Sequence, residues 1–171
     1  MGNSLQGVEG PSKHALVVDE SQAVRTIARR ILELNDFDVS EADNPENGAA
    51  LWNQNKPHLV LANWYASGSH WFFETIRKHP SRPTTKLVAF LVENDPSEIE
   101  GAVLAGADSI LLKPFTRETL EAMLDDVGFL ASGSAERAQL ASRNAALPAI
   151  VTPERPEHAL EFSDAGQSGP A

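Results

Sequence analysis

The chain is 171 residues long, 42% hydrophobic and 22% charged, which suits a globular protein large enough to bury a core. Its net charge of -10 argues against a nucleic-acid partner, because neutralising phosphates takes a basic footprint. With no cysteine there can be no disulfide, thiolate metal site or cysteine nucleophile. No apolar run approaches the roughly 18 residues that cross a membrane, so no membrane partner is expected. Residues 1–6 lack the charged and apolar regions of a signal peptide, and a cytoplasmic location is expected.

Residues 1–12 are small and polar and are expected to form a loose arm. From Lys13 to Ala131, apolar runs alternate with amphipathic stretches. Ala15 to Val18 is a short branched run of the kind buried on both faces of a sheet. Ser21 caps a helix whose apolar stripe is Val24, Ile27, Ala28, Ile31 and Leu34. Phe37 to Ala42 alternates as a second strand, and Asn44-Pro45 opens a second helix that stops before Pro57. Leu59 to Ala62, ending at Asn63, is the third strand. A helix over about Trp71 to Lys78 follows a Ser-Gly-Ser loop. Leu87 to Val92 is the fourth strand. Asp95-Pro96-Ser97-Glu98 then starts a helix with a cap, a proline and a glutamate at the third helical position. Ser109 to Leu112 is the fifth strand. Thr116 caps the last helix, with Leu120, Met123, Leu124 and Val127 inward.

Five strand–helix units in succession predict an α/β fold, a parallel sheet with helices on both faces. Sites in such sheets lie at the carboxyl ends of the strands. That places Asp19, Glu20, Asn63, the Leu91–Val92 end and Lys113 together. Residues 132–171 turn to Ala, Ser, Pro and Gly with scattered charges. They are expected to be mostly disordered, with a marginal helix over 134–146. Such a tail is too proline-rich to form a DNA-binding or catalytic domain. Its apolar island, Ala149 to Val151, reads more readily as a chance run than as a docking peptide.

From about Lys13 to Ala131 the chain resembles the receiver domain of bacterial two-component response regulators. The resemblance rests on Val17-Val18-Asp19-Glu20-Ser21, Leu59-Val60-Leu61-Ala62-Asn63-Trp64, Ala105-Gly106-Ala107-Asp108 and Leu111-Leu112-Lys113-Pro114-Phe115, in that order. It implies the flavodoxin-like (βα)5 sheet with strand order 2-1-3-4-5. It also implies an acidic pair that helps to hold Mg²⁺, here Asp19 and Glu20. A lysine before a cis proline is implied too, here Lys113 and Pro114.

The resemblance breaks at the chemistry. The phosphoacceptor aspartate matches Asn63, and no carboxylate lies between Lys56 and Phe73. An amide cannot attack a phosphohistidine, since its nitrogen lone pair is delocalised and its oxygen carries no charge. The hydroxyl that should hold the phosphoryl group matches Leu91, and the aromatic switch position matches Ile110. The loop from Ala66 to His70 looks about two residues short of the family's. These losses together describe a pseudo-receiver. Mg²⁺ binding should be weak or absent, confined at most to Asp19 and Glu20, because the ion wants several anionic oxygens. Losing one carboxylate also relieves a repulsion of roughly 3 kcal/mol for like charges about 5 Å apart. Asn63 is expected to donate to Asp19 or Glu20 and to leave Lys113 paired with them.

Other features have plainer readings. Phe72, Phe73 and Ile76 read as core, while Trp64 and Trp71 are as well suited to a binding patch as to packing. The five histidines show no ligand spacing on a helix face, and Gly101 and Gly106 do not join a strand to a helix as a phosphate loop would. Arg25, Arg29 and Arg30 form either a solvated face or a grip on an acidic partner or a nucleotide phosphate. The expected function is non-enzymatic: a phosphorylation-independent adaptor or competitor in a two-component phosphorelay. Its partner would be a histidine kinase or histidine phosphotransfer protein, and homodimerisation is open. One alternative is a sensor of a nucleotide or anion. Another is a phosphate-accepting receiver carrying an Asp-to-Asn substitution at Asn63.

Overall fold

The computed structural model describes residues 12–130. The expected arm, apart from Ser12, and the expected tail lie outside the described residues. Strands β1 (Lys13–Val18), β2 (Phe37–Ala42), β3 (Leu59–Asn63), β4 (Lys86–Leu91) and β5 (Ser109–Leu112) alternate with five helices. These are α1 (Gln22–Glu33), α2 (Pro45–Asn55), α3 (Ser69–Lys78), α4 (Pro96–Ala105) and α5 (Arg117–Asp126). All strand pairs are parallel, and the sheet order is β2-β1-β3-β4-β5. This is the flavodoxin-like order that the resemblance implied.

Successive strand residues point to opposite faces, so two separate cores form. On one face Leu16, Val18, Val60, Leu87, Ala89 and Leu91 meet Trp52 of α2, then Phe72, Phe73 and Ile76 of α3, and Ala102 of α4. On the other, Ala15, Val17, Leu59, Leu61, Val88 and Phe90 meet α1 and α5 through Ala28, Ile31, Leu32, Leu120, Met123 and Leu124. The core reading of Phe72, Phe73 and Ile76 is thus met. Gly48 lets α2 close on β1, since a Cβ there would stand 2.8 Å from a Val18 methyl.

Several local readings need correction. Ile27 and Leu34 are 49% and 64% exposed, whereas Leu32 is fully buried. At helical periodicity Val24, Ala28, Ile31 and Leu32 share one face, and Ile27 and Leu34 fall roughly a quarter turn to its side. Val92 lies outside β4 and is 57% exposed. The ladder ends where β5 ends, at the Leu91–Leu112 pair. Helix α3 starts at Ser69, two residues before the expected Trp71, because Gly68 turns the chain at a φ of 84°. At α4 the cap is Asp95, which accepts from the Ser97 amide, but Glu98 does not reach back to close a capping box. The capping box is on α5, between Thr116 and Thr119.

Candidate functional site

The carboxyl ends of β1, β3 and β5 bring three polar side chains together. Asp19 follows β1 and is 2% exposed, and its amide donates to the Ala42 carbonyl at 3.1 Å. Its Oδ1 accepts from the Ser21 amide at 2.8 Å, and its Oδ2 accepts from Lys113 Nζ at 2.9 Å. Lys113 is anchored just past β5 by its amide, which donates to the Leu91 carbonyl at 2.6 Å, and the Lys113–Pro114 peptide bond is cis. The same ammonium donates to Asn63 Oδ1 at 3.3 Å, an oxygen that also accepts from the Tyr65 amide at 3.4 Å.

Asn63 is therefore an acceptor here and makes none of the expected donations to Asp19 or Glu20. The ammonium has only donors, and it claims the amide oxygen. Glu20 is exposed, and its carboxylate makes no hydrogen bond or ion pair among the described residues. Leu91 and Ile110 are buried in the core beneath α3 and α4, with 0% and 2% exposure, and bring no donor to the pocket.

This arrangement holds one charge pair and one neutral acceptor. A buried lysine–carboxylate pair adds little net stability, but removing one member leaves an uncompensated charge. Mg²⁺ needs a set of hard oxygens with at least one carboxylate free to bind. Both Asp19 oxygens already accept a hydrogen bond, and the Glu20 carboxylate is exposed. No group of three His, Cys, Asp or Glu side chains that could hold a metal forms among the described residues. Two carboxylates and one amide oxygen are a weaker set for a divalent cation than three carboxylates would be.

The sequence profile of the response regulator receiver domain matches residues 15–125. The chain belongs to the response regulator receiver family. A Campylobacter jejuni chemotaxis protein CheY homolog is 29% identical over 127 residues, covering 72% of this chain and 96% of its own. The probable chemotaxis protein CheY of Rhizobium etli is 24% identical over 115 residues, 66% of this chain and 89% of its own. The phosphate regulon transcriptional regulatory protein PhoB of Pseudomonas aeruginosa matches at 26% identity over 51% of its own length. Among solved structures, chemotaxis response regulator CheY4 of Vibrio cholerae superposes with a TM-score of 0.65 at 21% identity. That likeness covers 68% of this chain and 99% of the other, and it speaks for the fold.

On this receiver the three arginines of α1 separate. Arg25 is an internal brace: Nη1 donates to the Asp19 carbonyl at 2.7 Å, and Nε sits 3.6 Å from Glu41. Arg29 bonds Glu33 and Glu41, at 2.8 and 2.9 Å, and these carboxylates, Glu33 first, raise its pKa above the ordinary arginine value. Arg30 is exposed and makes no side-chain hydrogen bond or ion pair among the described residues. An open groove of about 620 Å³ runs beside them, lined by Arg25, Thr26, Arg29, Glu41, Asp43 and Asn47 among others. Its two cations are committed to Glu41, which weakens the case for a phosphate grip there.

The aromatic group also divides. Trp64 is 2% exposed, and its Nε1 donates to Glu98 Oε2 at 2.7 Å. Trp71 is 53% exposed and Tyr65 is 45% exposed. Sequence reasoning missed both Glu41 and Glu98 as partners. The charge of Glu41 on an edge strand beside an arginine-rich helix was a usable signal. Glu98 carried a misleading one, because its position in the first turn of α4 suited a cap.

Proposed function

We propose that this receiver acts as a phosphorylation-independent adaptor or competitor in a two-component phosphorelay. It binds a histidine kinase or a histidine phosphotransfer protein, works in the cytoplasm and carries out no catalysis of its own. The observation that carries this reading is the pocket: Asn63 stands at the phosphoacceptor position and accepts from Lys113, while Lys113 is paired with Asp19. A carboxylate oxygen is the nucleophile in acyl phosphate formation. The one carboxylate in contact with the lysine is buried, with both oxygens occupied.

A surface with one state has no need of phosphate to be read. The outer side of α1 offers Ile27, Arg30 and Leu34, spaced three and four residues apart and all exposed. An apolar–basic–apolar row suits the packed helices of a phosphotransfer partner, with Arg30 facing an acidic residue. The test is binding to the histidine kinases and phosphotransfer proteins of the source cell, with and without acetyl phosphate. Equal retention under both conditions, lost in Arg30→Glu and Leu34→Asp, supports the reading. Retention that appears only with the phosphodonor overturns it.

A further inference from the structure

Trp64 follows Asn63 directly, and the partners of its ring lie on α3 and α4. Its backbone amide donates to the Phe90 carbonyl at 3.0 Å, which fixes it to the end of β4. Its ring stacks on His70 of α3, with centroids 4.1 Å apart, and meets Phe73 edge-on at 5.3 Å. Its indole N–H donates to Glu98 in the first turn of α4. One turn later on the same helix face, a Cβ on Gly101 would stand 3.3 Å from Trp64 Cζ2. Residue 101 has no side chain, and α4 can lie against the ring.

Helix α4 needs such a hold. It has ten residues, too few to be stable alone. Its buried residues are Ala102 and Ala105, which contribute little apolar area, with Ile99 only partly covered. At its far end Arg77 of α3 donates to the Leu104 carbonyl. At its near end the Trp64–Glu98 bond is charge-assisted and belongs to the stronger class of hydrogen bonds.

We propose that Trp64 is a clamp that fixes α4 against α3 and the ends of β3 and β4, so that the α4 surface is held in one position whatever the charge in the pocket. This rests on the phosphorylation-independent reading, because a surface driven by pocket chemistry needs two positions with different ligand affinities. The clamp explains how a receiver without a phosphoryl group presents α4 as a constant surface.

Hydrogen exchange of the full chain tests it, comparing wild type with Trp64→Phe and Glu98→Ala. In both variants, amides of residues 92–105 should exchange roughly tenfold faster or more, while those of β1 and α5 keep their rates. Unchanged exchange over 92–105 overturns the clamp. A rise shared equally by β1 and α5 also overturns it, since that is a loss of global stability. Should Trp64→Phe fail to fold, Glu98→Ala decides alone, as it keeps the ring. Uptake of phosphate by wild type from acetyl phosphate separates the two claims. Uptake with a local α4 response defeats the phosphorylation-independent reading and leaves the clamp. No uptake and no local response defeats the clamp alone.

Discussion

The outer strands and the inner strands of the pocket differ in charge. β1 and β5 keep a full charge pair, Asp19 with Lys113, at 2.9 Å. β3 and β4, which lie between them, supply the neutral Asn63 and the hydrocarbon of Leu91. The lysine reaches across the neutral centre and closes onto the far carboxylate. The charged groups of the pocket sit on its outer strands, and the side chains that its inner strands supply, Asn63 and Leu91, carry no charge. A retained charge pair and a neutral centre can therefore share one pocket.

Cutting each half of the pocket gives the largest effects. Lys113→Met strands the buried Asp19 carboxylate and should cost about 3–5 kcal/mol in chemical denaturation. Asn63→Ala removes a neutral acceptor and should cost about 1 kcal/mol. Equal costs would mean that the two halves do not differ as described.

A smaller effect probes the mount beneath Asp19. Gly48→Ala places a methyl against Val18, the last residue of β1, at 2.8 Å. Overpacking costs roughly 1–3 kcal/mol and the gain in helix propensity returns about 1, so a net loss of about 1 kcal/mol is expected. A stabilised variant would show that α2 can retreat from β1 freely.

The smallest effect lies outside the pocket, at the cap of α4. The Ser97 hydroxyl, then its amide, hold the Asp95 carboxyl below the usual carboxylate range. A depressed folded value means that the cap stabilises fully above the unfolded value and is lost as pH falls through the lower folded one. Amide exchange over residues 96–99 should therefore accelerate at acid pH in wild type, and Asp95→Asn should remove most of that acid dependence. Acceleration that is unchanged in Asp95→Asn would assign it to another group.

Much of this was legible in the sequence. Short branched runs gave the strands, and Asn44-Pro45, Asp95-Pro96 and Thr116 marked helix starts that the structure shares. The pocket residues Asp19, Asn63 and Lys113 could be placed because strand ends in a parallel sheet converge. That Glu20 would be exposed and leave Lys113 to Asp19 could not, because adjacent residues beyond a strand end need not share a direction. Nor could the division among the arginines, which depends on a carboxylate from β2 reaching Arg25 and Arg29 and missing Arg30. The Trp64–Glu98 bond spans 34 residues, and no local pattern encodes a contact of that kind.

The most direct test of the central claim is the intact mass of the full chain after incubation with acetyl phosphate and Mg²⁺. The account predicts that wild type gains no phosphoryl group. A phosphorylated wild type, on Asp19, Glu20 or any other residue of the pocket, would contradict it.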